Sequence, residues 1–237
     1  MITARALAAY QRPDLRRSLL QIADSVLPYL ALWVAMAWSL KVGYWLTLIL
    51  AVPAAGFVIR TFIIFHDCGH GSFFRARWAN ELVGFITGVL TLTASHDWWR
   101  QHLKHHASSG DLDRRGDGDV WTLTVEEYRR APRWQRVAYW FVRNPVFMLL
   151  VGPIVMFVIL NRWPSRGARR REVISVIWTN LALAVLVGGV ILLIGWRAYL
   201  MIHLPVTLLS GAAGIWLFYV QHQFEGVYWR RRGDWDI

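Results

Sequence analysis

The stretch VGYWLTLILAVPAAGFVIRTFIIF, residues 42–65, decides the fold class. It contains one charged residue, Arg60, and exceeds the roughly 20 mostly apolar residues that a membrane-spanning helix needs. Three further stretches approach that length: residues 25–40, 173–194 and 198–220. The sequence therefore predicts an all-α integral membrane protein with about four transmembrane helices.

Short connections join these four stretches in pairs. Lys41 and its neighbours separate the first two, and residues 195–197 separate the last two, so each pair is predicted to form a tight antiparallel hairpin. Two other apolar runs, 82–94 and 145–160, are too short for a span or are broken by the Gly-Pro pair at 152–153. They are expected to form interfacial or re-entrant helices beside a histidine-rich cap.

Composition supports a membrane protein. The hydrophobic fraction is 56%, and the charged residues lie between the apolar runs rather than within them. A formal net charge of +11 could indicate nucleic-acid binding, but the basic residues flank apolar runs, where anionic lipid attracts them, so no nucleic-acid partner is expected. A single cysteine, Cys68, excludes an intramolecular disulfide framework. Residues 1–21 lack the pattern of a removable signal peptide, and 1–237 is interpreted as one membrane domain.

The basic residues predict which side of the membrane each segment faces. Of the 26 lysines and arginines, three lie in the hairpin tips or within a span, and the others fall in the N-terminal, central and C-terminal segments. Short loops rich in lysine and arginine stay cytoplasmic, so these three segments are predicted to be cytoplasmic. The densest basic stretch, RWPSRGARRRE at 162–172, precedes the third span and can meet lipid phosphates. Its simpler interpretation is a topology signal.

Two histidine clusters are predicted on the cytoplasmic side. His66 and His70, in HDCGH, stand at the end of the second span, and their i, i+4 spacing puts both imidazoles on one helix face. His102, His105 and His106, in HLKHH, are spaced i, i+3, i+4 and are expected to point in one direction. The two clusters are therefore predicted to converge on metal.

A sixth candidate ligand, His222 in QHQFE, follows where the fourth span emerges on the same face. An all-imidazole site suits iron, zinc or copper rather than magnesium or calcium. A mononuclear zinc hydrolase needs only three protein ligands, whereas six candidates favour two metals, and two irons are suited to activating O2 for attack on an unactivated C–H bond. Such chemistry excludes water, so Trp98 and Trp99 are predicted to roof the site while an acyl chain enters from lipid.

Other residues that could carry chemistry are assigned different roles. His203 lies about 28 Å along the fourth span from the sixth candidate ligand and is expected near the outer membrane surface. His96 is turned about 240° from the second cluster, off the ligand face. Asp67 either orients an imidazole or is a helix-end acid that faces water, and Cys68 is expected to be a packing residue. The acidic run at 111–119 lacks the EF-hand spacing and is interpreted as a turn.

Three stretches together resemble the membrane fatty-acid desaturases, in particular the bacterial acyl-lipid omega-6 (Δ12) branch: HDCGHGSFF, HLKHHASSGDLDRRGDGDVWTLTVEEY and WLFYVQHQFEGVYW. The resemblance covers most of the chain from about residue 57. It implies a four-span protein of the bacterial inner membrane with a cytoplasmic di-iron centre. Such an enzyme uses O2 and two electrons from a ferredoxin or cytochrome b5 type donor to introduce a cis double bond into a lipid acyl chain.

The resemblance also implies a ligand set. The family's first box, its second box and an additional histidine before its third box correspond to six iron ligands: His66, His70, His102, His105, His106 and His222. A third box, HxxHH, is expected some tens of residues after QHQFE and therefore beyond Ile237. The polypeptide is accordingly expected to be C-terminally truncated, inactive alone and unable to bind two irons stoichiometrically.

Three other functions fit parts of the pattern. A di-iron hydroxylase or ketolase acting on alkanes, sphingolipids or carotenoids would share the histidine spacing. A haem-binding electron carrier needs axial pairs facing each other within the bilayer, whereas only His203 lies well inside a predicted span. A zinc-dependent membrane hydrolase is disfavoured by the excess of histidines and by the absence of HExxH.

Overall fold

The structure, a computed structural model, describes residues 13–116 and 120–235. Within these ranges the chain is helical, which confirms the all-α prediction. The long helices are α1 (Leu15–Ser39), α2 (Tyr44–Gly69), α8 (Arg170–Ile194) and α9 (Trp196–His222). The shorter helices are α3 (Arg77–Leu90), α4 (Ser95–His106), α5 (Val125–Arg130), α6 (Arg133–Arg143) and α7 (Pro145–Leu150), and α7 is followed by a π-helix (Ile154–Ile159) and a 3-10 turn (Leu160–Arg162).

The four predicted spans correspond to α1, α2, α8 and α9, and each helix extends beyond its apolar stretch. α1 begins at Leu15, where the Asp14 carboxylate accepts the backbone N–H of Arg17 at 2.9 Å. α2 continues past its apolar residues and carries His66 in its last turn. The length of an apolar run locates a membrane span but underestimates the length of the helix, because caps and backbone hydrogen bonds extend the helix into polar surroundings.

Both predicted hairpins are confirmed. In the first, the Oγ of Ser39 and the Oγ1 of Thr47 lie 2.7 Å apart near the connection, and Arg60 pairs with Asp24 at 2.7 Å farther along. The second turns at Gly195, whose φ of +82° lies in a region that only glycine adopts readily. Each hairpin therefore begins and ends at the same end of the bundle.

Helix α2 is the centre of the bundle and packs against α1, α3 and α9. One buried cluster joins Met36 of α1, Ala51 and Ala54 of α2, and Ile202 and Val206 of α9. The two alanines allow the helix backbones to approach closely, as small residues do in membrane bundles. This packing determines where the end of α2 lies relative to the end of α9.

The apolar run 82–94, predicted to form an interfacial or re-entrant helix, is helical as far as Leu90. α3 ends at Leu90, and a turn leads into α4. In that turn Leu92 has a φ of 58°, and its carbonyl accepts hydrogen bonds from the side chains of Asn161 and Arg162. The turn contains two threonines, Thr91 and Thr93, and cannot be helical because the chain reverses there. It sends α4 back along α3 toward the end of α2.

Five helices, rather than the four expected, are long and apolar enough to cross a membrane by length and composition. The fifth is Pro145–Arg162. The segment is therefore longer than predicted, but it is interrupted after Leu150, next to the Gly-Pro pair at 152–153, as the prediction of a broken run expected. After α7 the helix restarts and continues as the π-helix, with Pro153 at its beginning, where the missing N–H of proline costs little.

The C-terminal residues turn back onto the acidic loop that follows α4. The backbone N–H of Leu112 donates to the carbonyl of Arg230, and the N–H of Arg230 donates to the carbonyl of Gly110, both at 2.9 Å. Asp113 pairs with Arg231 at 2.7 Å. The predicted turn is therefore confirmed in the described part of this loop, and residues 117–119 lie outside the described residues.

Candidate metal centre

The first histidine pair lies where α2 extends past its apolar residues. His66 is in the last turn of α2 and His70 caps its C-terminus, so both rings lie on one face, as predicted. Their Nε2 atoms are 3.3 Å apart. Nδ1 of His66 lies 2.9 Å from Oδ1 of Asp67, which is the orienting contact predicted for this acid. Nε2 of His66 is thereby left to face the other imidazoles.

Helix α4 brings the second histidine cluster to the first. Nε2 of His102 lies 3.2 Å from Nε2 of His70 and 3.0 Å from Nε2 of His106. The ligand nitrogens of His66, His70, His102 and His106 all lie within 4.8 Å of one another. We call these four residues the four-histidine cluster.

The four-histidine cluster fits a metal ion that prefers imidazole. Nitrogens about 2.1 Å from one ion are at most about 4.2 Å apart, so a small contraction would bring all four to ligating distance. Burial, followed by the nearby histidines, lowers the pKa of His102 to about 3. Burial is also the largest cause of the lowered pKa of His70 and of His106. These three rings are therefore neutral near pH 7, which is the form that binds metal.

His105 and His222 form a separate pair beside this cluster. Their Nε2 atoms are 2.8 Å apart, and the carbonyl of Phe218 lies 2.8 Å from Nδ1 of His222. The ring centroids of His105 and His106 are 6.0 Å apart. The three histidines of HLKHH are divided between the two groups: His102 and His106 belong to the four-histidine cluster, whereas His105 pairs with His222. The site therefore has two neighbouring parts.

The two tryptophans beside the second cluster have different roles. Trp98 stacks on the ring of His102 at a centroid distance of 4.4 Å, which agrees with a covering role. Trp99 is buried and donates from Nε1 to the carbonyl of Phe65 at 3.1 Å. Trp99 was predicted to roof the site, but it lies between α2, α3 and α4 and holds α4 in position instead.

Sequence reasoning missed the residues that fix the beginning of α4. Asp97 is buried and accepts hydrogen bonds from the hydroxyl and the backbone N–H of Ser165, at 2.6 and 3.2 Å. Arg100 donates to the same hydroxyl at 2.5 Å. An acid in the first turn of a helix is a known local signal, but the partner loop is distant in sequence, so only the fold could identify it.

His203 and His96 lie outside the metal centre, as predicted. His203 stacks on Tyr199 at a centroid distance of 4.9 Å and lies 3.2 Å from the hydroxyl of Thr207. His96 lies 2.9 Å from Glu81 of α3. Each imidazole is therefore engaged in packing or polar contacts within the bundle.

Cys68 is buried, as expected for a packing residue, and its Cβ lies close to the position that a side chain at Gly84 would take. It makes no close contact with the histidine nitrogens in the described structure that would suggest a thiolate ligand. The packing interpretation is sufficient for it.

Known proteins resemble this chain over about two thirds of its length or more. Residues 42–237 match the family model described as "Fatty acid desaturase". The chain is 46% identical over 232 residues to a "Fatty acid desaturase" of Bacillus subtilis (strain 168), which covers 98% of this chain and 66% of that protein. It is 28% identical over 191 residues to an sn-1 acyl-lipid omega-3 desaturase (ferredoxin) of Nostoc sp., a match that covers 74% of this chain and 50% of that protein. It is 29% identical over 158 residues to an sn-1 oleoyl-lipid 12-desaturase of Picosynechococcus sp., which covers 66% of this chain and 43% of that protein. The chain thus spans about two thirds of the first relative and half or less of the other two.

Proposed function

The chain belongs to the fatty acid desaturase family, and we propose that it supplies the metal-binding part of an oxygen-dependent desaturase that introduces a cis double bond into a lipid acyl chain. One observation carries this proposal. Six histidines from three helices meet at one end of an apolar helix bundle. The ligand nitrogens of four of them lie within 4.8 Å of one another, and the Nε2 atoms of the other two are 2.8 Å apart.

Iron is the metal that we propose for both parts of the centre. The four-histidine cluster would hold one ion, and His105 with His222 would contribute to a second. Bound iron supplies the activation of O2 that removes hydrogen from an unactivated methylene. Overall, two hydrogen atoms leave adjacent carbons, and with two further electrons and two protons they reduce one O2 to two waters.

The surrounding residues hold the imidazoles and exclude water. Asp67 and the carbonyl of Phe218 each contact the Nδ1 of a ligand histidine, which leaves Nε2 facing the site. The Trp98 ring covers one face of His102. An acyl chain can approach the histidines from the apolar part of the bundle. A site from which water is excluded favours attack on a C–H bond.

The finer features of the proposal rest on the relatives and on the charge pattern. We propose an acyl-lipid substrate and desaturation of the omega-6 type, because the relatives include a protein named for an oleoyl-lipid 12-desaturase. A relative named with ferredoxin supports a ferredoxin-type electron donor, with a cytochrome b5 type as the alternative. The arginine distribution supports the bacterial inner membrane, with the metal centre on the cytoplasmic side.

Lipid profiling tests the reaction. We expect that expressing the reading frame that contains this chain in a host that lacks the activity gives an acyl chain with one new double bond, located by mass spectrometry. His102→Ala should abolish the product, because His102 contacts two other members of the cluster. An added oxygen atom in place of the double bond would assign the hydroxylase or ketolase reaction instead.

Metal analysis tests the site separately from the reaction. We expect His102→Ala to lower the iron bound per chain to less than half of the wild-type value, because it removes the central imidazole of the four-histidine cluster. His203→Ala is the matched control and should retain the wild-type iron content, since His203 packs against Tyr199 outside the site. Equal iron content in both variants would contradict the assignment.

A further inference from the structure

The basic stretch 162–172 has a structural role that a topology signal does not explain. Arg162 turns into the protein and donates to the side chain of Asn180 at 2.9 Å. Arg171 pairs with Glu81 of α3 at 2.6 Å. The guanidinium of Arg170, by contrast, makes no hydrogen bond or ion pair within residues 13–116 and 120–235, and it lines a cavity of about 650 Å³.

This cavity lies between α3, α4 and α8, and we call it the α3–α8 cavity. Its polar end is formed by Glu81, Arg170 and Arg171, and its apolar wall by Phe85, Ile174 and Trp178. Ser95, His96 and Ser175 form the side next to α4. The cavity therefore combines charge and apolar surface, which suits a molecule that has both.

The charge and the apolar surface are separated along the helix axes. On α8, Arg170, Ile174 and Trp178 are spaced i, i+4, i+8 and lie on one face over about 12 Å. On α3, Glu81 and Phe85 follow the same order from the polar to the apolar end. An occupant of matching shape has an anionic group at the basic end and a hydrocarbon chain directed toward the middle of the bundle.

The charge balance at the polar end favours an anion. Segments 77–81 and 166–172 together contain five arginines and two glutamates. The carboxylate of Glu81 is already engaged, because one oxygen lies 2.6 Å from Arg171 and the other 2.9 Å from His96. Arg170 is therefore left as the cation that can bind an incoming negative group.

We propose that the α3–α8 cavity binds an anionic phospholipid, with its phosphate at Arg170 and one acyl chain along Phe85, Ile174 and Trp178. This lipid is distinct from the desaturase substrate. His96 and His102 are six residues apart on α4, about 240° around the helix, so the cavity and the four-histidine cluster lie on different sides of it. Trp99 packs between them, with its ring 5.3 Å from that of His96. The lipid contacts the first turn of α4 and stabilises its position.

Lipid titration of the purified, metal-free chain in detergent, followed by native mass spectrometry, tests the proposal. The probes are phosphatidylglycerol and phosphatidylcholine with identical acyl chains. We expect phosphatidylglycerol to bind more tightly, and we expect Arg170→Gln to weaken it about fivefold, the effect of one arginine near a lipid phosphate. Arg133→Gln, which removes an equal charge from exposed α6, should leave the affinity unchanged. Ile174→Trp fills the space along the apolar wall and should weaken binding without changing the charge.

Three outcomes would overturn the proposal. Equal losses for Arg170→Gln and Arg133→Gln would mean that the chain attracts anionic lipid without a specific site. Equal affinities for the two lipids would show that the headgroup charge does not contribute to binding. Displacement of the lipid by an equal concentration of glycerol phosphate would show that the acyl chain does not contribute. Because no metal is needed for this measurement, none of these outcomes affects the proposed desaturase function.

Discussion

The position of the candidate metal centre depends on two glycines as well as on histidines. An added Cβ would lie 2.4 Å from Cζ2 of Trp99 at Gly84 and 2.3 Å from Cδ1 of the same ring at Gly69. The ring cannot move aside easily, because its N–H is bonded to the carbonyl of Phe65. The absence of a side chain at these two positions therefore allows α4 to approach α2 closely enough for His102 to reach the first histidine pair.

We expect Gly84→Ala to destabilise the protein by about 1–3 kcal/mol, the usual cost of overpacking a buried site. It should also lower iron binding, because a displaced Trp99 moves α4. Thermal unfolding followed by circular dichroism measures the first effect and metal analysis the second. Gly188→Ala is the control: nothing lies within 4 Å of its added Cβ, so it should be neutral or slightly stabilising. A Gly84→Ala protein as stable as wild type would refute the role of the glycine.

Helix α4 is held at its beginning by a loop rather than by a neighbouring helix alone. Asp97 accepts two hydrogen bonds from Ser165 and one from the Gln101 side chain at 3.0 Å. Arg100 completes the contact by donating to the hydroxyl of Ser165 and to the carbonyl of Arg166. The loop before α8 is thus fastened to the helix that carries three of the candidate ligands.

Asp97→Ala should release this loop. The substitution removes hydrogen bonds from partly buried donors to a charged acceptor, each worth about 1.5–3 kcal/mol. We expect trypsin to cut after Arg166 at least about tenfold faster, since cleavage of a transiently open segment follows its opening free energy. Glu126→Ala removes an exposed ion pair with Arg130 and should leave this rate unchanged. An unchanged rate in Asp97→Ala would show that the loop is held by other contacts.

The acidic loop and α5 are joined by one ion pair whose pH dependence can be predicted. Hydrogen bonds from Arg115 and from the N–H of Thr124 lower the pKa of Glu127 from its ordinary value of 4.5 to about 2. A lowered pKa contributes stability that is fully present above pH 4.5 and is lost as the pH falls toward 2. The contact should therefore be unaffected between pH 7 and pH 5.

Hydrogen exchange in residues 120–131 measures this effect. We expect protection to fall between pH 4.5 and pH 2, after correction for the intrinsic exchange rate, in wild type and in Glu126→Gln. In Glu127→Gln the protection should be lower at neutral pH and should not change across that interval, because the titrating group is gone. A wild-type decline that persists in Glu127→Gln would assign the titration to another group.

At the scale of the whole molecule, the two ends of the fifth candidate helix lie near the same end of the bundle. Just before Pro145–Arg162, the Arg143 side chain donates to Gln223 at 3.1 Å, beside the metal-centre end of α9. Just after it, Ser165 binds Asp97 at the beginning of α4. We propose that this segment, whose two ends return to one side, enters the membrane without crossing it. This geometry supports the prediction of a re-entrant segment and of four crossings.

Single-cysteine labelling can test this topology. In a Cys68→Ala background, Arg133→Cys and Arg166→Cys, on either side of Pro145–Arg162, should react with an impermeant thiol reagent from the same side of the membrane. Arg197→Cys, at the tip of the second hairpin, should react only from the opposite side. If Arg166→Cys labelled together with Arg197→Cys, the segment would cross the membrane.

Several features of the site follow from sequence because they depend on local geometry. The i, i+4 spacing of His66 and His70 places both on one face of any helix. A charged neighbour such as Asp67 lies close whatever the tertiary fold. Two features do not follow from it: His105 and His106 are adjacent but belong to different groups, and the helix in the run 82–94 ends at Leu90. The hydrophobicity of a segment alone does not indicate where the chain reverses its direction.

By itself, the sequence determined the membrane class, the two hairpins and the set of candidate ligands, because apolar length and helical periodicity are properties of neighbouring residues. Only the tertiary structure decided how those ligands divide, with His102 and His106 joining the first pair and His105 joining His222. That division depends on the rotation of α4 between its neighbours. Contacts distant in sequence, such as those of Trp99 with the glycines of α2 and α3, determine that rotation.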